Sequence, residues 1–446
     1  MFVIMNKIVG SGLKKRTGCM STPLSSLLEQ PDNWDFREAD TKEGTHVIHS
    51  YPAMMIPPVA RGLIDRLRAL NPDAKTLLDP FCGAGTVLVE AARLGLAAWG
   101  NDLNPLALRI ARARTTPIRE QDLRTALTAL EATLTPCALA DWHGSIPTFE
   151  GRDFWFKPEV SHALAFVLEQ IRTMSHPDVR ALAEIAFSET VRLVSNTRNG
   201  EFKLYRIPAD KLATFQPDVL SVFRQTLARY GAGLQMFDAD LRKAAAPVHI
   251  VKGDTRLLES VPDQHFDLMV TSPPYGDSRT TVAYGQFSRL SLEWLGLPPE
   301  EARTVDRRLL GGVVRQEPSW DPISSAALHA GLDAIAAQHP ARAREVESFY
   351  RDLDRAIAAI TKKLKPGALC AWVVANRTVK RGVLPTNTII AELSSARGYS
   401  LIEDLTRNIP NKRMPLANSP SNVAGDTGVT MTQEHLVLLR YDGPQR

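Results

Sequence analysis

Residues 76–102 read TLLDPFCGAGTVLVEAARLGLAAWGND, and this stretch decides the fold. Thr76 to Asp79 is a short apolar run that stops at an acidic residue and Pro80, as a buried strand does at its carboxyl end. PFCGAG supplies a tight glycine turn. TVLVEAARL then carries apolar residues at helical spacing, with Gly95 as the stop. AAWGND is a second strand that ends on Asp102. Strand, glycine loop, helix and strand in that order open a doubly wound sheet, so the expected class is α/β with a Rossmann-like sheet.

Asn104 to Arg114 continues as a helix, which Pro117 closes. Residues 118–246 then lack a convincing buried strand. Leu123 to Leu134, Val160 to Met174, Val179 to Val194 and Ala209 to Tyr230 instead place apolar residues at three and four spacing, which predicts a helical insertion. The sheet resumes with VHIVKGD (Val248 to Asp254) and FDLMVTSPPY (Phe266 to Tyr275), each apolar and then polar, as parallel strands with functional loops read. A second, less regular insertion is expected at about 276–340, followed by a helix from Arg344 to Leu364, the turn KPGA and the strand LCAWVVAN. TNTIIAELSSARGY reads as a helix, and YSLIEDLTRNI and EHLVLLRY as the last strands. The expected organisation is an N-terminal arm (1–30), a first catalytic part (31–117), the helical insertion (118–246) and the remaining catalytic part (247–446).

Bulk properties exclude several classes. No apolar run can span a bilayer, and the opening MFVIMNKIVGSGLKKRTG puts its apolar patch before its basic residues, the wrong order for a secretory signal. A cytoplasmic protein is expected. Cys19, Cys82, Cys137 and Cys370 show no CxxC or Cys/His spacing, so neither a disulfide framework nor a metal site is expected. A net charge of +4 suits a polyanion and equally an enzyme of small molecules. Three basic clusters could face phosphates or solvent: Arg303, Arg307, Arg308 and Arg315; Arg377, Lys380 and Arg381; Arg407, Lys412 and Arg413.

A glycine turn between a first strand and its helix lets backbone N–H groups approach a ligand closely. The G-x-G of Gly83 and Gly85 is shorter than the full dinucleotide fingerprint. Asp102 adds to it, because a carboxylate at the end of the second strand can hold the ribose hydroxyls of an adenosine. Read structurally, Asp79 would be only a strand cap and the glycines a tight turn.

DPFCGAGT (Asp79 to Thr86) resembles motif I of the DNA amino-methyltransferases, which methylate cytosine-N4 or adenine-N6. The resemblance implies a sheet that binds S-adenosylmethionine, with Asp79, Phe81, Gly83, Gly85 and Thr86 along the methionine and ribose side, Asp102 on the ribose and Asp254 at the adenine amine. HSYPAMMIPPVARGLIDRL (His49 to Leu67) is similar to motif X, which packs on the methionine end. Tyr51 and Pro52 there, and Thr271 ahead of the second motif, are the remaining cofactor-binding expectations. Cys82 occupies a variable position of motif I. Cytosine-C5 chemistry would need a Cys after a Pro in the catalytic loop, where this chain has Pro274-Tyr275, so Cys82 is not expected to be a nucleophile.

An exocyclic base amine is a poor nucleophile because its lone pair is delocalised into the ring. Acceptors that draw its nitrogen toward tetrahedral geometry must converge beside the methyl donor. In Thr271-Ser272-Pro273-Pro274-Tyr275 the prolines stiffen the loop and leave carbonyls free to accept, Ser272 adds a side-chain acceptor, and Tyr275 offers a face for a base rotated out of a duplex. SPPY resembles motif IV of the same family, with Ser typical of cytosine-N4 enzymes. The implied reaction is direct transfer, for which serine is not a general base. Ser272, Pro273, Pro274 and Tyr275 are the catalytic expectations. Adenine-N6 methylation, tRNA guanine-N2 methylation and an idle nucleic-acid-binding partner stand as alternatives.

The implied partners are double-stranded DNA and a cognate restriction endonuclease, with nucleoid association. Arg198, Lys203 and Arg206, interleaved with Phe202 and Tyr205, suit nucleic acid, as do Arg279, Tyr284 and Arg289 after the catalytic loop. The loop from Asn408 to Gly428 is a further candidate. The long insertion departs from the family's pattern, since it precedes the Asp254 strand rather than the catalytic loop.

Overall fold

The computed structural model describes residues 34–199, 202–243, 247–277, 280–314, 323–380, 382–409, 417–418, 428–429 and 432–444. The expected arm, Cys19, Arg279, Arg315, Arg381, Lys412, Arg413 and most of the 408–428 loop lie outside them.

Strands β1 (Thr76–Asp79), β2 (Ala97–Asp102), β3 (Val248–Lys252), β4 (Phe266–Thr271), β5 (Leu364–Val374), β6 (Tyr399–Asn408) and β7 (Gln433–Tyr441) form one sheet. Their order is β3-β2-β1-β4-β5-β7-β6. Pairing is parallel from β3 to β5, and β7 runs antiparallel between β5 and β6. The chain steps outward from β1 to β3 and then returns to β4, so the order reverses between β1 and β4. Such a reversal leaves a crevice at the carboxyl ends of the strands.

The longer helices are α1 (Pro57–Leu70), α2 (Thr86–Arg93), α3 (Pro105–Thr115), α4 (Glu120–Thr133), α5 (Pro158–Arg172), α6 (Pro177–Val194), α7 (Val219–Lys243), α8 (Tyr284–Trp294), α9 (Pro299–Arg308), α10 (Ala326–Ala336), α11 (Pro340–Lys363) and α12 (Thr386–Ser395). Side chains alternate across the sheet as the period of two requires. Leu77, Leu268 and Val270 pack with α1 and α2, and Leu78 and Met269 pack with α11 and α12 on the other face. Gly85 begins α2 at a φ of +82°, and a Cβ there would lie 2.9 Å from that of Ala111 in α3. Only glycine satisfies both the backbone and the contact.

The described residues between 118 and 246 are mostly in helices and do not stand apart from the sheet. Trp34–Arg446 is one compact unit. Leu106, Ala107 and Ile110 of α3 and Phe287 and Leu290 of α8 share a core with Leu164, Phe187 and Phe223 of the insertion.

Three local expectations are corrected. The single helix from Ala209 to Tyr230 is two, Ala209–Thr214 and α7, because Pro217 lacks an N–H and drives Gln216 out of helical geometry. The second insertion is more regular than expected, since it contains α8, α9 and α10. KPGA falls inside β5 as an irregularity, where the pairing steps from Phe266 with Leu364 to Leu268 with Leu369. Among the described residues no helix is long and apolar enough to cross a membrane.

Candidate active site

The reversal between β1 and β4 opens into a cleft of about 850 Å³, counted out to solvent. The glycine turn contributes Asp79, Phe81, Cys82, Gly83 and Thr86 to its walls. Asp102 and Asn104 follow β2, Asp254 follows β3, and Ser272 and Pro274 follow β4. Tyr51 and Pro52 come from the turn before α1, and Tyr284 from the start of α8. Thus sequence-distant expectations converge on one space. Gly85 and Thr271 are not on its surface: Gly85 is turned into α3, and Thr271 is fully buried beneath it.

Asp102 is oriented by backbone donors. Gly83 N–H gives to Oδ2 at 3.0 Å and Asn104 N–H to Oδ1 at 2.8 Å. Burial raises its carboxyl above the usual range, and those N–H groups pull it back toward ionisation. Asn104 caps α3 by accepting from Leu106 N–H at 3.0 Å. Its Nδ2 donates to Tyr51 Oη at 2.9 Å and Ser288 Oγ at 2.7 Å, which ties the α1 turn to α8. The Tyr51 and Tyr284 rings stack with centroids 5.9 Å apart.

Beneath the turn, Thr271 Oγ1 donates to Asp79 Oδ1 at 2.7 Å. Burial pushes the Asp79 carboxyl up to about 7. Burial also pushes the Cys82 thiol far up, and a thiol kept protonated is no nucleophile. Asn101 donates to Pro80 O at 3.3 Å, Gly253 O at 3.1 Å and Thr255 Oγ1 at 3.1 Å. It thereby joins the glycine turn to the loop after β3. In that loop Asp254 is held by Arg256, whose Nη2 lies 2.6 Å from Oδ2, while Arg256 Nη1 reaches Asp352 at 2.9 Å.

Arg114 of α3 is completely buried and acts on backbone rather than on a carboxylate. It donates to the carbonyls of Ile48 at 2.6 Å, His49 at 3.0 Å, His46 at 3.3 Å and Ala84 at 3.3 Å. The turn bearing Tyr51 and the glycine turn therefore share one anchor.

In the second motif Ser272 and Pro274 face the cleft, whereas Pro273 is buried. Tyr275 does not line the cleft, in contrast to the stacking face expected of it. Its hydroxyl donates to Glu434 Oε1 at 2.9 Å and accepts from Ser272 Oγ at 3.4 Å.

The nucleic-acid expectations divide. Tyr284 belongs to the cleft. Arg289 pairs with the buried Glu293 at 3.3 Å, which also takes Arg303 at 3.5 Å. Arg198, Lys203 and Arg206 sit on a hairpin closed by Thr197 and Arg206. Arg198 Nε donates to Arg206 O at 3.2 Å, and the Arg206 guanidinium lies 4.2 Å from the centre of the Phe154 ring. Of the basic clusters expected to face phosphates or solvent, Arg377 and Arg407 are buried, in ion pairs with Asp277 and Glu434. Their charge serves the interior, because an ion this deep needs a partner.

Sequence reading missed Asn101, Asn104, Arg114, Ser288 and Glu434. Asn104 alone had a local signal, since Asn before Pro marks a capped helix start. The others act chiefly on partners far along the chain, Asn101 on Gly253, Arg114 on Ile48, Ser288 on Asn104 and Glu434 on Tyr275, and leave none.

Residues 48–126 match the family described as "RMKL-like, methyltransferase domain". The chain is 40% identical over 421 residues to the type II methyltransferase M.MvaI of Kocuria varians, covering 91% of this chain and 93% of that one. It is 34% identical over 82 residues to the tRNA (guanine(10)-N2)-dimethyltransferase of Methanocaldococcus jannaschii, covering 18% and 22% of the two chains. The solved rRNA methyltransferase aviRa of Streptomyces viridochromogenes overlays with a TM-score of 0.29 at 14% identity over 89% of this chain and 90% of that one, too loosely to bear on function. The near full-length likeness is decisive: the chain belongs to the type II methyltransferases, the family of restriction–modification DNA methyltransferases that use S-adenosylmethionine.

Proposed function

We propose that this chain methylates the exocyclic amine of cytosine in double-stranded DNA, giving N4-methylcytosine, with the target base turned out of the duplex. The observation that carries the reading is that Ser272 and Pro274 line the same cleft as Gly83 and Asp102. An amine acceptor and a nucleoside-binding carboxylate thus share one space.

The cleft fits S-adenosylmethionine. Asp102 receives one backbone N–H on each oxygen and keeps lone pairs for two ribose hydroxyls. Gly83 leaves room beside the Tyr51 ring, 3.8 Å from where a Cβ would be. Asp79, Phe81 and Thr86 would hold the methionine side with Tyr51 and Pro52, and Asp254 the adenine. Gly85 and Thr271 would act from below, by shaping the turn and holding Asp79.

When bound, the cofactor supplies a methyl group already activated by a positive sulfur. Ser272 and the carbonyl of Pro273 would accept from the amine hydrogens and draw the nitrogen out of conjugation. The prolines keep those acceptors in place as the amine attacks in line, and alignment contributes most of the rate. The surplus proton leaves nitrogen as or after the bond forms. Tyr275, set outside the cleft, would act through its hydroxyl on Ser272 rather than by stacking on the base.

Arg198, Lys203 and Arg206 would contact DNA, and Phe154, Phe202 and Tyr205 beside them are 47%, 42% and 46% exposed. Phe202 lies 6.4 Å from Phe287, itself 5.8 Å from Tyr51, so this hairpin reaches toward the cleft. Tyr284 and Arg289 would support the cleft rather than touch DNA. The role is that of a cytoplasmic modification enzyme paired with a restriction endonuclease.

The 82-residue likeness to a tRNA enzyme motivates one competing reading, but it covers 18% of this chain against 91% for the type II relative. To test both, the protein is incubated with labelled cofactor and either plasmid DNA or tRNA, and the product is digested to nucleosides. Label in N4-methylcytosine is expected. Label in N6-methyladenine would correct the base, and label only in tRNA guanosine would overturn the reading.

A further inference from the structure

The cleft does not contain every group that bears on Ser272. Glu434, on the last strand, lies directly opposite Arg407 in the antiparallel register of β7 and β6. Arg407 is buried; its guanidinium pairs with Glu434 Oε2 and donates from Nε to Trp34 O at 3.0 Å. One carboxylate oxygen is thereby fixed, and the other faces the Tyr275 hydroxyl at 2.9 Å.

A phenol has a single proton to give, and beside a carboxylate it gives it there. The Tyr275 oxygen can then only accept. Ser272 Oγ, 3.4 Å away, is the donor that reaches it. That assignment matters because a free serine hydroxyl is ambivalent. Donating to the target amine, it would occupy the lone pair that must attack; with its proton turned to Tyr275, it offers only lone pairs to the cleft.

We infer that Glu434 is a positioning residue for methyl transfer: through the Tyr275 hydroxyl it holds Ser272 as an acceptor toward the target amine. This rests on the amine-methylation reading above. Burial and the neighbouring carboxylate keep Tyr275 protonated, as the arrangement requires. Arg407 keeps the carboxylate compensated, so the arrangement needs no net buried charge.

The test is a double-mutant cycle in full-length protein, using single-turnover methylation of DNA that the wild type modifies, with cofactor and DNA dissociation constants measured in parallel. Glu434→Ala and Tyr275→Phe should each slow transfer by about tenfold to a hundredfold, the range of one charge-assisted hydrogen bond. Both dissociation constants should stay within about twofold of wild type. The double variant should be no slower than the slower single variant, because Glu434 acts only through that hydroxyl. Glu434→Gln, which keeps an acceptor of the same size, should regain much of the rate in the Tyr275 background and change nothing in the Tyr275→Phe background. It also serves if Glu434→Ala does not fold. Losses that multiply in the double variant, or that follow weakened cofactor binding, would overturn the inference while leaving the proposed function intact. A wild type that methylates no base amine would overturn that function, and the inference with it.

Discussion

Thr271 Oγ1 donates to Asp79 Oδ1 at 2.7 Å, a bond between residues 192 positions apart that fastens the strand leading into Ser272-Pro273-Pro274-Tyr275 to the strand of the glycine turn. Burial holds that Asp79 carboxyl at about 7, so its charge changes across the neutral range. The cofactor is cationic and favours the ionised form. Its affinity should therefore weaken roughly tenfold from pH 8 to pH 6. Stability runs the other way. The native carboxyl holds a proton that the unfolded chain has lost, so this contribution is present below about pH 4 and disappears as pH rises through about 7. Titration of cofactor binding across pH checks the first point, and Asp79→Asn should flatten the profile. A wild-type profile flat from pH 6 to 8 would reject it.

Arg114 should matter for stability and for cofactor binding together. Arg114→Met orphans carbonyls of both turns, each worth about 1–3 kcal/mol when buried, partly offset by removing a buried charge. A net loss of about 2–4 kcal/mol is expected by denaturant unfolding. Cofactor affinity should fall at least as much in Arg114→Lys as its stability suggests, because an ammonium cannot span four carbonyls. Loss of stability with unchanged cofactor affinity would show that the anchor serves the fold alone.

Tyr284 offers a separation of roles. Its ring stacks on Tyr51 inside the cleft, so Tyr284→Ala should weaken cofactor binding by about threefold to tenfold, the value of an aromatic pair. Affinity for DNA should move less than about twofold. Cofactor titration and DNA gel shift on the same preparation decide it, and the opposite pattern would return Tyr284 to the DNA surface.

TLLDPFCGAGT announces its strand, turn and helix because each step is local: apolar run, glycine at positive φ, helical spacing. The convergence of Asp79, Asp102 and Ser272 followed from the sheet, whose parallel strands all end on one edge. Glu434 was illegible, since only the antiparallel insertion of β7 brings it to Tyr275. Tyr284 looked like a DNA contact because it follows the catalytic loop, yet the fold of α8 turns it back to the cleft. Arg377 and Arg407 looked superficial because burial of a charge depends on partners distant in sequence.

On the exposed hairpin, charge and stacking should contribute separably to DNA binding. Arg206 is spread over the Phe154 ring, and Phe202 and Tyr205 stand exposed beside it. Phosphate contacts release counterions, so each one adds about 0.9 to the slope of log affinity against log salt. Stacking contributes affinity with almost no slope. Lys203→Ala and Arg206→Ala should therefore each flatten the salt dependence of DNA binding by about one unit. Phe202→Ala combined with Tyr205→Ala should weaken binding by about tenfold or more at every salt concentration and leave the slope as it was. Fluorescence anisotropy with a labelled duplex from about 50 to 200 mM salt measures both. If neither set changes affinity or slope, the hairpin is a brace for α8, to which Leu204 N–H is already tied through Gln286 Oε1 at 3.3 Å, and DNA is bound elsewhere.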